Sequence, residues 1–470
     1  MPFNDLREFI GFLEKEGELV RVREEIEPQF EIGGFNRLLI DSRGPAVLFE
    51  NVKGSPAPIV THLFGSMKRI NIALGTRDRG ESLEKFLRAL DGHWLEPRIV
   101  KEGPCKEKII NNPDLTKDIP NIIWGELDGG AYITMPLVVT KDPDTEKRNV
   151  GIYRFMIHAP KEGRMLIVPT QHFGMSFAKK EKQRKPLEVA IALGGDPILY
   201  LVGAAPLKYL EDEFALAGAL RGEPLNLVKC ETVDLEVPAT SECVIEGEIL
   251  PNVREPEGPF GEYTGYYGAR GNRPVFKVKC ITHRDQYIFP GTYETKPFPP
   301  SEDALLRSLS VDAGIFYQIR KIIPEIKAFH MLESSGVSYI GVVQIDNKPY
   351  PNFAKQVMDA VWATHKGCWI KILIVVDKDV DPFCIEDVMW AIATRVQPHQ
   401  DMMVIPNHVG FPLDPSSERP GESSHLGIDA TIKIPERFEK YPPLSIPSEN
   451  LLASLKAKYG STDFWKKLFE

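Results

Sequence analysis

The sequence predicts a multidomain chain of mixed α+β and α/β class. Its 470 residues exceed what a single hydrophobic core usually organises. Short β-rich runs separated by Gly and Pro fill residues 111–300, and strand–helix alternation follows from about 326.

Residues 1–110 read as an N-terminal α/β domain. Leu6, Phe9, Ile10, Phe12 and Leu13 fall at roughly helical spacing, with Asn4 or Asp5 as candidate N-cap. Leu19–Val22, Ala46–Phe49 and Ile59–His62 are strand-sized, and Ser82–Leu90 has an amphipathic helical pattern. In 111–300, runs at Leu137–Thr140, Val150–His158, Met165–Val168, Ile198–Val202, Leu235–Val237, Val244–Leu250, Val275–Thr282 and Tyr287–Phe289 suggest an all-β barrel or sandwich. One helix, Glu211–Leu220, interrupts them, and Arg221-Gly222 suits its C-cap.

Ser301–Ile323 reads as a linker helix in a 301–325 segment. Ser301 caps it, Glu302 and Asp303 suit its positive end, and Pro324 stops it. The C-terminal domain, 326–445, alternates Tyr339–Ile345, Phe353–Thr364, Ile370–Val376, Ile385–Thr394 and Met402–Ile405. That order favours a parallel sheet with crossover helices. A tail at 446–470 holds one amphipathic helix, about Glu449–Lys458.

A net charge of −9 argues against a nucleic-acid binder. No apolar run approaches the roughly 18 residues of a membrane span. The N-terminus lacks the basic start and apolar run of a signal peptide, so a cytoplasmic protein is expected. The six cysteines include no C-x-x-C pair and are expected to be buried free thiols.

Three segments offer chemistry. In Glu257-Gly-Pro-Phe-Gly-Glu262 two carboxylates flank a turn, and Gly258 and Gly261 permit backbone geometries closed to other residues. Acids sharing a pocket repel each other's charge, so one can hold a proton and donate it to a carbanion. Spacing alone fits a polar hairpin with solvated acids at least as well. In Asn149-Val-Gly-Ile-Tyr-Arg154, strand alternation separates Asn149 from Arg154, and a bulge or turn at Gly151 would reunite them. A buried arginine suits a carboxylate substrate, although a surface arginine on an edge strand reads equally simply. His172 and Glu213 lack local metal spacing, and no H-E-x-x-H, G-x-S-x-G, Walker or dinucleotide fingerprint occurs.

Together these segments resemble the UbiD family of decarboxylases over nearly the whole chain. Asn149 stands five residues before Arg154, and His172 eighteen after it. Glu213 opens E-F-A-L-A-G-A-L-R-G-E-P, and Glu257 opens E-G-P-F-G-E-Y-T-G-Y. Trp390-Ala-Ile-Ala-Thr-Arg-Val and Leu426-Gly-Ile-Asp-Ala-Thr also match. The resemblance implies a central split β-barrel of flavin-reductase type that binds prenylated FMN. Asn149, His172 and Glu213 match the family's metal ligands, implying Mn2+ (or Mg2+) with K+ at the cofactor phosphate. Ile152, Tyr153, Arg154, Gln171, His172 and Pro206 would line the cofactor. His425 stands where the family often carries a phosphate-contacting lysine. Arg154, Glu257 and Glu262 match the catalytic set, with Glu262 as proton donor and Glu257 orienting Arg154.

The implied activity is a reversible non-oxidative decarboxylase of an aromatic or α,β-unsaturated carboxylic acid, proceeding through a covalent cofactor–substrate adduct. Rival readings are a carboxylase of phenolic or phosphorylated aromatics within a larger complex, and a non-catalytic flavin- or metal-binding subunit. Implied partners are the acid and CO2, a flavin prenyltransferase as cofactor supplier, and further copies in a homodimer or homohexamer.

Overall fold

The first helix, Leu6–Lys15, forms where the apolar spacing places it, and Asp5 caps it by accepting from the Glu8 amide. Its buried stripe of Leu6, Phe9, Ile10 and Leu13 packs into a core shared with the N-terminal strands. A computed structural model describes residues 3–434 and 440–469 of this chain. Two compact units result, Met1–Ala430 and Thr431–Glu470. In the second, Ser448 caps the helix Glu449–Tyr459, and a short helix, Asp463–Phe469, follows. The stretch 435–439, within the expected C-terminal domain, lies outside the described residues.

Strands Leu19–Val22, Ala46–Phe49 and Ile59–Thr61 form a small sheet, completed by Phe289–Gly291 from far along the chain. The central sheet has nine strands. Its path runs Ala131–Ile133, Phe155–Ala159, Glu162–Met165, Gly271–His283, Cys243–Glu257, Leu187–Leu193, Leu137–Lys141, Arg148–Ile152. Lys108–Ile110 pairs beside Gly271–His283, and every pairing is antiparallel.

The expected single strand Val150–His158 is in fact two. It breaks at Tyr153-Arg154, and its halves sit near opposite ends of the path. Three residue steps span at most about 11 Å, so the sheet must curl until its ends approach. No hydrogen-bonded pair joins the two end strands among the described residues. Tyr153 and Arg154 occupy that seam.

Other expectations also need correction. Ile198–Val202 is a buried helix, Ile198–Gly203, not a strand; Asp196 accepts from the Ile198 amide at 2.8 Å and starts the turn. A short, wholly apolar run carries no period that separates the two. Near Met165 the strand is Glu162–Met165, and a helix absent from the expectation, His172–Lys182, follows. The linker helix is capped by Ser301 but ends at Ile319 rather than Ile323. The C-terminal sheet is mixed rather than parallel. Ile340–Ile345, Ile372–Asp377 and Glu422–Asp429 run parallel, flanked by antiparallel Ile326–Met331 and Met402–Val409. All six cysteines are free; Cys105, Cys243 and Cys280 are buried, and the other three are only half-buried. Among the described residues no helix is long and apolar enough to cross a membrane.

Close approach fixes the helix that begins at His172. A Cβ on Gly174 would lie 2.2 Å from the Val168 carbonyl oxygen. Gly174→Ala is therefore expected to destabilise the protein by about 1–3 kcal/mol. Gly11→Ala, whose added methyl meets nothing within 4 Å, should gain up to about 1 kcal/mol. Urea unfolding midpoints at constant slope measure both, and equal midpoints would remove the steric argument.

Candidate active site

Arg154 leaves the strand Arg148–Ile152 at the seam and turns inward, where it is 7% exposed. Its Nε and Nη2 donate to the two oxygens of Glu257 at 2.9 and 3.0 Å. Its Nη1 donates to Glu262 Oε1. The guanidinium also lies over the Phe260 ring, 4.9 Å from its centroid. Glu257, fully buried at the end of the strand Cys243–Glu257, accepts a further bond from the Tyr132 hydroxyl at 3.1 Å. Burial, then the Glu257 charge, raises that hydroxyl's pKa and keeps it a donor.

The turn between the two acids is a built feature rather than a solvated hairpin. Phe260–Gly261 pairs with Tyr267–Gly268, and Asp128 accepts from the Gly261 amide at 3.0 Å. A Cβ on Gly268 would approach Glu262 Oε1 to 2.8 Å, so glycine there makes room for the acid.

Arg154 and Glu262 border a cleft with about 1150 Å³ of space between the atoms, counted to its solvent mouth. Asn149, Ile152, Tyr153, Gln171, His172, Pro206 and Glu213 line it too. Ending the strand at Ile152 lets Asn149 and Arg154 reach one cleft, which alternation in a continuous strand would prevent. His172 opens one helix, and Glu213 opens another that Asp212 caps. Arg148 ties that second helix to the seam strand through Asp212, with Nη1 to Oδ2 at 2.6 Å. Glu213 accepts from the Val150 amide at 2.8 Å. Burial holds its carboxyl well above the ordinary range. Burial, with His365 and Lys366 nearby, lowers His172 to about 4, so its imidazole is neutral and free to act as a ligand. The Asn149 amide nitrogen is buried without a hydrogen-bond partner. Among the described residues no three His, Cys, Asp or Glu side chains cluster as ligands of an ion; the expected set contributes only His172 and Glu213 to such a group.

Glu257 stands behind Arg154 and is not part of the cleft lining. His425 lies elsewhere. It is 1% exposed in the C-terminal sheet, stacked on Trp362, with Nε2 3.1 Å from the Val409 carbonyl oxygen. It does not line the cleft.

Sequence reasoning missed the opposite wall. Glu294, Asp303, Arg307, Lys366, Phe411 and Leu413 all face the same space. The Lys366 amine makes no hydrogen bond or ion pair among the described residues, and burial lowers it to about 7. Only Asp303 carried a signal, and it pointed to helix electrostatics.

Comparison with known proteins agrees with this architecture. The chain matches all three domain models of 3-octaprenyl-4-hydroxybenzoate carboxy-lyase (UbiD): the N-terminal domain over residues 10–90, the Rift-related domain over 98–297 and the C-terminal domain over 304–430. It is 36% identical over 449 residues to the phenolic acid decarboxylase of Sedimentibacter hydroxybenzoicus, covering 92% of each chain. The closed form of vanillic acid decarboxylase from the same organism aligns at a TM-score of 0.92 and 34% identity, over 98% of this chain and 100% of that one. Its open form aligns at 0.85. The UbiD-class enzyme HmfF of Pelotomaculum thermopropionicum, solved with FMN, aligns at 0.85 and 38% identity, over 96% and 99% of the two chains. An evolved dimeric form of HmfF was solved with prFMN. With three domain models matched in order along one chain and whole-length relatives above 30% identity, this protein belongs to the UbiD family of carboxy-lyases.

Proposed function

We propose that this chain is a reversible, non-oxidative decarboxylase of an aromatic carboxylic acid that works with prenylated FMN. The observation that carries the reading is the buried Glu257–Arg154–Glu262 set at the edge of the cleft. A protein that only held a flavin would need no proton donor there. Relatives named for phenolic and vanillic acid decarboxylation favour an aromatic acid over an alkenoic one.

The residues present fit the cofactor. We read the curled sheet as the split barrel of flavin-reductase type, with the backbone of Ile152–Arg154, Gln171 and Pro206 along the flavin. Lys366, half-buried in the cleft wall with no counter-ion among the described residues, is the group to meet the phosphate, a part we take from His425. Asn149, His172 and Glu213 would hold Mn2+ (or Mg2+), with K+ beside it. The Asn149 side-chain oxygen and the neutral His172 ring nitrogen are donors of the type such an ion takes. An ion there would offset both the phosphate and the Glu213 carboxylate.

Bound prFMN would supply the electron sink for loss of CO2. The chain supplies position and a proton. Glu257 fixes the Arg154 guanidinium in one orientation through two parallel bonds. Glu262, protonated, donates to the ring carbon that has lost its carboxylate. Arg154 Nη1, already directed at Glu262 Oε1, stabilises the carboxylate left behind. Carboxylation runs the same steps in reverse. A homodimer or homohexamer is the expected assembly, and a flavin prenyltransferase the expected source of cofactor.

Glu262→Gln is expected to lower turnover and substrate H/D exchange by about 10²–10⁴-fold, with flavin content unchanged. Full activity would exclude Glu262 as donor. Mass spectrometry of protein made with a flavin prenyltransferase should find prFMN; ordinary FMN alone would overturn the proposed chemistry. Chelation and Lys366→Met should each cause flavin loss on gel filtration, read by absorbance. Retention after chelation would exclude the metal, and retention in the variant would exclude Lys366 as phosphate ligand.

A further inference from the structure

We infer that Glu294 is a specificity residue that hydrogen-bonds a ring hydroxyl of the substrate and turns away acids carrying a second carboxylate; this rests on the decarboxylase reading above. Glu294 follows the strand Phe289–Gly291 and lines the cleft that Glu262 borders. Its backbone lies against the acid-bearing turn, since a Cβ on Gly261 would sit 3.1 Å from the Glu294 carbonyl oxygen. Among the described residues its carboxyl makes no hydrogen bond or ion pair, unlike Glu257, Glu262 and Glu213.

The charges around it settle which form it takes. Asp303 and Arg307 face it from the linker helix, with Arg154 and Asp128 beyond. Arg307 is already engaged: it pairs with Asp303 at 3.7 Å, donates to Ser338 Oγ at 3.1 Å and covers the Tyr263 ring at 4.0 Å. Burial, then the Asp303 charge, pushes the Glu294 carboxyl well above the ordinary range, toward its neutral form. A neutral carboxyl offers one O–H donor and one carbonyl acceptor, which match the acceptor and donor of a hydroxyl. With Lys366 given to the cofactor phosphate and Arg307 engaged, a second carboxylate would find no free cation on this wall and would face Asp303. Phe411 and Leu413 supply apolar surface for the ring. A site built to bond a hydroxyl rejects the analogue lacking it, because its buried polar group is left unpaired.

The test compares 4-hydroxybenzoate, 3-hydroxybenzoate, benzoate and benzene-1,4-dicarboxylate on flavin-loaded enzyme. It reads kcat/KM for CO2 release and, separately, Kd by calorimetry. The wild type should favour at least one hydroxybenzoate over benzoate and over the dicarboxylate by about 100-fold or more. Glu294→Leu should cut both ratios at least tenfold. Glu294→Gln, which keeps a donor and an acceptor, should hold the hydroxyl preference within about threefold and so separates recognition from misfolding. The proposal is overturned if the Leu variant keeps the preference, if both variants lose it equally, or if no hydroxybenzoate is favoured in binding. Discrimination in Kd that depends on Glu294 without any CO2 release supports the assignment while refuting the decarboxylase reading.

Discussion

A guanidinium held between two buried carboxylates is the constraint around which the site is built. Taking three charged groups out of water is costly unless every one is bonded, and removing one partner leaves an uncompensated charge. Here Arg154 spends Nε and both terminal nitrogens on Glu257 and Glu262. Glu257 receives the Tyr132 hydroxyl as well. The two carboxylates outnumber the one guanidinium, and Arg273, 3.8 Å from Glu257, is the next cation in range. Such a set tolerates little movement. The surrounding chain meets that demand with a paired turn after Glu257, an open space at Gly268 and aromatic cover from Phe260.

The seam in the central sheet follows from the same demand. Had the strand through Asn149 continued past Tyr153, alternation would have sent Asn149 and Arg154 to opposite faces. Breaking the ladder after Ile152 releases both side chains into one cleft and lets the curled sheet present its two ends to a ligand. Backbone groups that would have closed the sheet become available to line it. Two helices begin at the cleft: His172 opens one that is set by the close approach of Gly174 to Val168, and Glu213 opens the other, whose first turn is fixed by the Asp212 cap and the Arg148–Asp212 pair.

Much of this was legible in the sequence because the relevant signals are local. The caps at Asp5 and Ser301, the glycine after Arg221 and the strand–helix alternation past 326 are short-range patterns, and the structure keeps them. Glu257, Glu262 and Arg154 were readable only through their shared company, since each alone fits a surface role. The helix at Ile198–Gly203 was not legible, because uniform burial erases its period. The far wall was not legible either. Glu294 and Lys366 carry no motif, and Asp303 reads as a partner of the helix dipole. Only the packing of the linker helix against the cleft shows which way Asp303 turns.

That helix, Glu302–Ile319, explains how the remote parts of the chain set the width of the site. Its first residue, Glu302, is buried and accepts from the His62 and Phe64 amides at 3.0 and 2.8 Å, which anchors the helix to the N-terminal sheet. The next residue, Asp303, and Arg307 one turn beyond it face the cleft. Further along, Ser308 and Asp312 meet Arg79 at 2.6 and 2.8 Å, while Asp312 also holds His330 and the Met331 amide of the C-terminal sheet. One rigid element thus fastens both flanking regions and presents the substrate wall between the two attachments. A change in either attachment must shift Asp303 and Arg307 against Glu294. The charge state and reach of that wall are therefore properties of the whole 1–430 unit, although Glu257 ends a strand of the central sheet and Glu262 lies in the turn just beyond it.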